Sequence, residues 1–474
     1  MKGLPRILSA LCALFLLAAC EATGPTSDAA PTITAQPVNV AVAAGEAALF
    51  QVTASGSGTL SFQWSREGVV IAGATSAAYT TPAAIADDSG TVYTVQVSND
   101  AGSVTSAEAK LLVFEAGSLL ATLLQFAETG LRNWNHGGHT VDDRFNESQG
   151  RWDYTNTTYE PWLFDRPEVW RMLGEMTGDG RWLTQANTDL AYYESRLSAA
   201  GLFLNRGDDT KYSYVHAWGT DAAKQTAAYN ATVVGWPNTA NLSPGAMWTE
   251  RELWVALNAA VHYHTATGNA AALTRAQAMV DQWDAVTAGR GAPLVTYTMH
   301  EGGGPGGTTP TDLVTSPWMA ALYFQAARLY IAKVPARATQ VHQQASAYFD
   351  WLNTPANRGF YQGSEAHVEH TGLIFPGYLA GGTTIGDAGA SEAHMDHALD
   401  IAGFIAFAIK AKQALGLPTT AAEARLSDMK VTAAQAFTNA TRSTAYLPRY
   451  RVNPARKFLW WTRGMYELRA NGGG

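Results

Sequence analysis

Carboxylates and histidines gather in the long connecting segments of the C-terminal part of this chain, interleaved with tryptophan and tyrosine. One segment carries Trp152, Tyr154, Glu160, Trp162 and Asp165. A second ends in Trp248-Thr-Glu250-Arg251-Glu252. A third holds His300 and leads to Ser316-Pro317-Trp318, and a fourth ends in His394-Met-Asp396-His397. The last helix adds Trp460 and Trp461. Acids in pairs suit general acid–base cleavage of an acetal. The two carboxyls must then stand about 5–5.5 Å apart for retention, or about 6.5–9.5 Å where a water fits between them. Flat rings beside them suit the faces of sugars.

The first choice for the pair is Glu250 as acid and Asp396 as the base that activates water, with Glu160 and Asp165 as substitutes. Trp152, Tyr154, Trp162, Trp248, Arg251, His300, Trp318, His394, His397, Trp460 and Trp461 are the expected substrate contacts. Each acid taken singly reads better as a helix cap or a first-turn acid favoured by the helix dipole than as a catalyst. Their clustering is what raises the joint case.

Other chemistries fit less well. β-Elimination from a uronate needs a base and a cation, which Tyr154, Tyr159, His300, His370, Arg251 and Arg463 would supply. A groove that binds glycan without turnover is the non-enzymatic alternative. His367-Val-Glu369-His370 and His394-Met-Asp396-His397 carry metal-ligand residue types, but no HExxH accompanies them. The expectation is therefore no metal and no cofactor. The Gly302–Gly307 turn lacks the Lys-Ser/Thr of a phosphate loop, and no GxSxG elbow is present.

Helices must position these residues. Apolar residues at helical spacing predict helices over 118–135, 160–177, 181–198, 247–267, 269–287, 316–333, 336–353, 392–415, 420–439 and 455–470. Val215 to Tyr229 is a further candidate. No convincing strand run interrupts them. The first helix of each pair is apolar nearly all round, as in WMAALYFQAARLYIA, and the second has a polar face, as in ARATQVHQQASAYFDWL. A helix apolar all round is buried and one with a polar face is peripheral. Short turns such as Met176-Thr-Gly-Asp179 and Ala266-Thr-Gly-Asn269 join the pairs. The chain thus reads as stacked helical hairpins, five with a possible sixth, and the long loops precede the inner helices. Residues 117–474 resemble the all-α (α/α)5-6 toroid of six-hairpin glycosidases and related polysaccharide lyases. That resemblance is architectural and implies a groove at the mouth where inner helices begin. Function drawn from it is analogy.

Ahead of the helices, 31–115 has a β texture. ALFQVTA, LSFQWSR, VYTVQVSN and AKLLV alternate apolar and polar residues between Gly, Ser and Asn turns. Trp64 follows Val52 at the spacing of the strand-B cysteine and strand-C tryptophan of immunoglobulin domains. Asp88-Ser-Gly90 and Tyr93 resemble the tyrosine corner, and Val52 and Val95 stand where the two cysteines usually lie. The segment resembles a cysteine-free immunoglobulin-like sandwich of bacterial surface proteins, with Trp64 in its core and a spacer as its role. The expected fold class is multidomain, an all-β sandwich followed by an all-α toroid.

Residues 1–20 have a positive start (Lys2, Arg6) and an apolar run too short for the roughly 20 residues of a spanning helix. Leu17-Ala-Ala-Cys20 resembles the bacterial lipobox, which implies cleavage before Cys20 and its acylation. Glu21 in place of Asp implies sorting to the outer membrane, facing the periplasm or the cell surface. Residues 21–30 form a flexible tether. The mature chain then holds no free thiol, because the two cysteines are Cys12 and Cys20. A net charge of −8 without a basic run excludes nucleic acid as a partner. Glycan and membrane are the expected partners, and the chain is expected to be a monomer. Cys20→Ser should move the protein from the membrane fraction to the soluble one and abolish incorporation of a labelled fatty acid; retention of both label and membrane association would remove the anchor.

Overall fold

The computed structural model describes residues 28–127, 145–146, 151–152, 166–196, 222–230, 233, 250–296, 313–362, 372–381, 395–441 and 454–473. Two compact units emerge, and the division runs through the β module instead of after it. The first comprises residues up to 37 with 51–79 and 93–108, and the second comprises 38–50, 80–92 and 109–474.

In the first unit β1 (Thr32–Ala35) pairs antiparallel with β4 (Thr53–Ser55). β5 (Ser61–Arg66) lies antiparallel to β6 (Val69–Val70) and to β8 (Val92–Asn99), with Trp64 opposite Val95, and β8 pairs with β9 (Gly102–Thr105). Period-two alternation turns Tyr93, Val95 and Val97 inward. Trp64 is fully buried, and its indole N–H donates to the Ser76 carbonyl at 2.9 Å. Val52 and Val95 are both buried, so aliphatic packing replaces the usual disulfide there. In the second unit β2 (Val40–Ala43) runs parallel to β10 (Ala109–Phe114), and β3 (Ala47–Gln51) lies beside β7 (Ala78–Ala83).

Eleven α-helices stand among the described residues. They are α1 (Leu119–Phe126), α2 (Arg166–Thr177), α3 (Gly180–Arg196), α4 (Ala222–Tyr229), α5 (Glu250–Thr267), α6 (Ala270–Thr287), α7 (Pro317–Lys333), α8 (Ala338–Leu352), α9 (Ala398–Ala414), α10 (Thr420–Thr441) and α11 (Pro454–Ala470). The inner and outer alternation is observed: α7 is buried from Pro317 through Ala327, and α9 from Ala398 through Ala408. Trp170 and Met172 are core, as is Trp461. α9 starts later than its apolar pattern, because residues 395–397 form a 3-10 turn first.

The inner helices contact one another in the series α5, α7, α9, α11, α2. Glu168 of α2 lies 3.6 Å from His262 of α5, which joins the two ends of the series. All five run the same way. The start of α5 meets the residues that open α7 through Glu250 and Ser316, and Trp318, near the start of α7, stacks on His397 just before α9. Along α9 and α11, Gly464 abuts Asp400 and Gly403 abuts Glu467. α11 and α2 pair Arg463 with Glu168 and Tyr466 with Glu175. α1 packs on α11 and on β2.

The all-α expectation needs one correction. β13 (Val295–Thr296), β14 (Leu313–Thr315) and β17 (Ala380–Gly381) form a small antiparallel sheet, and β15 (Phe360–Gln362) pairs with β16 (Ile374–Pro376). Strands of two or three residues carry no readable alternation. They close the stems of the long loops, and β14 feeds directly into α7.

The inter-helix turns repeat a bonding pattern. Thr177 Oγ1 donates to the Leu173 carbonyl and accepts from Asp179 N, across Gly178 at φ +69°. Thr267 does the same with Tyr263 and Asn269, across Gly268 at φ +72°. Asn269 Oδ1 then caps α6 through Ala271 N at 2.9 Å. At the first turn the acid reaches further. The buried Asp179 carboxylate accepts from Ala41 N on β2 at 2.9 Å and from Arg181, whose Nη2 stands 2.5 Å away. Arg181 Nη2 also donates to the Ala41 carbonyl at 3.3 Å, and Gly180 N to the Asn39 carbonyl at 3.2 Å. A side chain at Gly180 would meet Val38. These bonds, with α1 against β2, fasten β2 to the helices within the second unit. Removing one partner of a buried ion pair leaves an uncompensated charge. Asp179→Ala should therefore cost about 3 kcal/mol, read as a lower urea midpoint of the helical unit; an unchanged midpoint would mean that the turn does not hold β2.

Candidate functional site

Where the inner helices begin, the side chains are polar and aromatic. Glu250 is the first residue of α5 and is fully buried. Its Oε1 accepts from Ser316 N at 3.1 Å and from the Thr315 hydroxyl. Thr315 Oγ1 is also 3.0 Å from the Tyr348 hydroxyl. Burial first, and the Glu250 charge second, push that phenol well above its usual value. Ser316 Oγ donates to the Tyr378 carbonyl at 3.0 Å, and Pro317 takes the first helical position, where its missing N–H costs nothing. The Glu250 carboxylate thus ties the start of α5 to the start of α7.

Beside this clamp lies a closed aromatic group. The Trp318 ring stacks on His397 with centroids 4.8 Å apart, and Trp460 stands edge-on to Trp318 at 4.6 Å and to His397 at 5.6 Å. Tyr378 flanks both Trp318 and His397. His397 Nδ1 is 2.9 Å from Asp400 Oδ2, one helical turn on. A neutral imidazole that donates from Nδ1 to a carboxylate keeps Nε2 as the basic nitrogen. The pair can therefore hold or move a proton.

Below it, charges line the space between the inner helices. Asp400, Arg463 and Glu467 border a void between α7, α9 and α11 that is only large enough for about one water. Arg463 Nη2 donates to Glu168 Oε2 at 2.6 Å, and its guanidinium lies 5.4 Å from the centre of the Trp254 ring. Arg328 forms a two-pronged pair with Glu467, both contacts at 2.6 Å. Burial alone would raise the Glu168 carboxyl. The Arg463 and His262 side chains outweigh that and hold it at about 2.

The expected site residues fall into three sets. Glu250, Trp318, His397, Trp460 and Trp461 are described. Trp318, His397 and Trp460 come together, Glu250 serves the neighbouring clamp, and Trp461 turns away into the core against Phe437 at 4.6 Å. Trp152, Arg251 and Asp396 have described backbone, in β12 (Arg151–Trp152, paired with β11, Phe145–Asn146), in α5 and in the 395–397 turn, but their side chains lie outside the described residues. Cys20, Tyr154, Glu160, Trp162, Asp165, Trp248, His300 and His394 lie outside them altogether, as do His367, Glu369 and His370. Asp400, Glu168 and His262 were not anticipated. The i, i+3 spacing of His397 and Asp400 was a usable signal. Glu168 and His262 had none, because their partners come from other helices. Among the described residues no group of three or more acids, histidines or cysteines is arranged around a metal position.

Residues 31–113 match the immunoglobulin I-set domain family. No curated protein matches the chain. Solved structures match over a similar stretch. The Sidekick-1 immunoglobulin domains 1-5 are 24% identical with a TM-score of 0.17, over 19% of this chain and 20% of that one. A chimeric titin Z1Z2-Z1Z2 tandem is 32% identical with a TM-score of 0.17, over 19% of this chain and 52% of that one. A chimeric titin Z1Z2 is 30% identical with a TM-score of 0.16, over 19% and 97%. This chain thus spans about a fifth of the first and about half of the second.

Glu168 gives the site a pH signature. Its folded value lies below its ordinary 4.5, so its contribution is full above about 4.5 and is lost as pH falls toward 2. Wild type should lose about 3 kcal/mol through this window by urea unfolding, and Glu168→Gln should lose correspondingly less. Equal acid slopes for the two would show that Glu168 is not held ionised by Arg463.

Proposed function

We propose that the chain is a surface-anchored carbohydrate-active enzyme, a glycoside hydrolase acting at the rim where the inner helices begin. The observation that carries this reading is the Trp318–His397–Trp460 group at co-directional helix starts, with the carboxyls of Glu250 and Asp400 beside it. Trp460, the partly exposed member of the group, offers apolar surface to a pyranose ring, and acids at helix starts provide the proton donors and acceptors that acetal cleavage needs. Asp396 immediately precedes His397 and remains the proposed base, with Glu250 the proposed acid. Glu250 already accepts two hydrogen bonds, so it acts directly only if substrate binding frees it; otherwise it is a positioning residue. The immunoglobulin-like segment serves as spacer, and lipidated Cys20 as anchor.

One observation favours a second reading, a polysaccharide lyase on the same scaffold. The His397–Asp400 pair supplies a base and Arg463 a nearby cation, which are the two groups that β-elimination from a uronate needs. Incubating the full mature chain with a glycan panel separates the readings. Hydrolysis yields new reducing ends alone, whereas elimination adds the ultraviolet absorbance of unsaturated uronates. Glycan binding without either signal would leave a non-catalytic binder. Asp396→Asn and His397→Gln should each lower turnover about 100-fold or more with the melting temperature held. Full activity in Glu250→Gln and Asp396→Asn together would remove that carboxyl pair.

A further inference from the structure

A second concave site lies in the outer layer of the helical unit. It is a pocket of about 360 Å³ between the end of α8, the β15–β16 hairpin and α10, and among the described residues no inner helix lines it. That volume falls within the roughly 300–1,000 Å³ of small-molecule sites. Two guanidiniums face it, each laid over an aromatic ring. Arg425 lies 4.5 Å above Phe360, and Arg358 lies 5.2 Å above Tyr361.

The two arginines are bonded unequally. Arg425 is held by Asn353 Oδ1 at 3.1 Å and by Asp428 at 3.1 Å. Arg358 makes a single long contact to the Tyr361 hydroxyl, at 3.5 Å, and has no carboxylate partner among the described residues. Among the described residues its five donors are otherwise unused. Among the described lining residues the local charge is therefore net positive, in a chain of net charge −8.

The backbone supports a functional origin. Arg358 stands at φ +54°, ψ +32°, the left-handed region that glycine occupies without strain. Among the described residues only Glu67 shares that departure with it outside glycine. Gly359 follows directly, and a side chain there would strike the Leu352 carbonyl. The turn must therefore be tight, yet the strained position carries arginine instead of glycine. Strain of this kind persists where it serves a site.

We propose that this pocket binds a small organic anion, a carboxylate-bearing sugar being the best match. The carboxylate pairs with the Arg358 fork, with Arg425 as second cation, and the sugar body lies along Leu352, Pro355 and Ile374. The Asn353 side chain, also on the lining, can meet a hydroxyl. The site is separate from the rim and does not depend on the activity proposed there.

Isothermal titration of the full mature chain tests the proposal with three probes. Glucuronate carries charge and body, glucose lacks the charge, and inorganic phosphate lacks the body. Glucuronate should bind at least about 10-fold more tightly than either control. Arg358→Gly should weaken it by about 10-fold or more while the melting temperature stays level or rises, because glycine relieves the strained φ. Arg358→Asn, which tolerates that φ but lacks the charge, should behave alike. No glucuronate binding, equal binding of glucose or phosphate, or unchanged affinity in both variants would each overturn it.

Discussion

Five helices packed side by side in one direction point their partial positive ends at one rim. That alignment is the constraint on which the rest of the helical unit depends, since like ends of helix dipoles repel and leave N–H groups exposed together. The sequence answers with acids in first turns. Glu250 opens α5 and closes over the residues that open α7; Glu168 stands in the first turn of α2; Asp400 stands in the first turn of α9. All three are buried. Each also makes a cross-helix or same-helix bond to a specific partner, so a single residue offsets the dipole and fixes its neighbour. A buried charge without such partners would be costly, which is why Arg463 and His262 lie beside Glu168 and His397 beside Asp400.

The same geometry brings the candidate chemistry together. The long connections join the inner helices at their starts, and short turns, two of them Thr-Gly-Asx, leave from their far ends. The two small sheets hold the stems of those loops. Trp318, Tyr378, His397 and Trp460 come from three inner helices or their approaches, and no local stretch of sequence contains the group. Dipole compensation alone accounts for an acid at each helix start. It does not account for an imidazole packed between two indoles, and that arrangement is what sets this end of the unit apart from ordinary helix packing.

Much of the architecture was legible because it rests on short-range chemistry. Helix bounds, the apolar inner and polar outer faces, and the Thr-Gly turns follow from periodicity and from residues within five positions of one another. Val52, Trp64, Tyr93 and Val95 announced the immunoglobulin-like strands by spacing. Strands such as Val295–Thr296 were too short to show a period. The role of Glu250 was open, since an acid before an apolar helix reads equally as cap or catalyst. Its burial against Thr315, Ser316 and Tyr348 appears only when distant segments meet. The bond from Ala41 to Asp179 spans 138 residues. No local pattern predicts it.

That bond has a mechanical meaning. Tension applied along β2 enters the helical unit where that strand is fastened. The Asp179 carboxylate, the Arg181 guanidinium and the Gly180 amide all grip the backbone of Asn39 and Ala41 directly. Load on that strand therefore passes sideways into the α2–α3 hairpin before it reaches the link ahead of α1. Several hydrogen bonds sheared together resist a pull better than the same bonds opened one by one. The Thr-Gly-Asp turn is thus a bracket as well as a corner, and it lets the helical unit be held from its side.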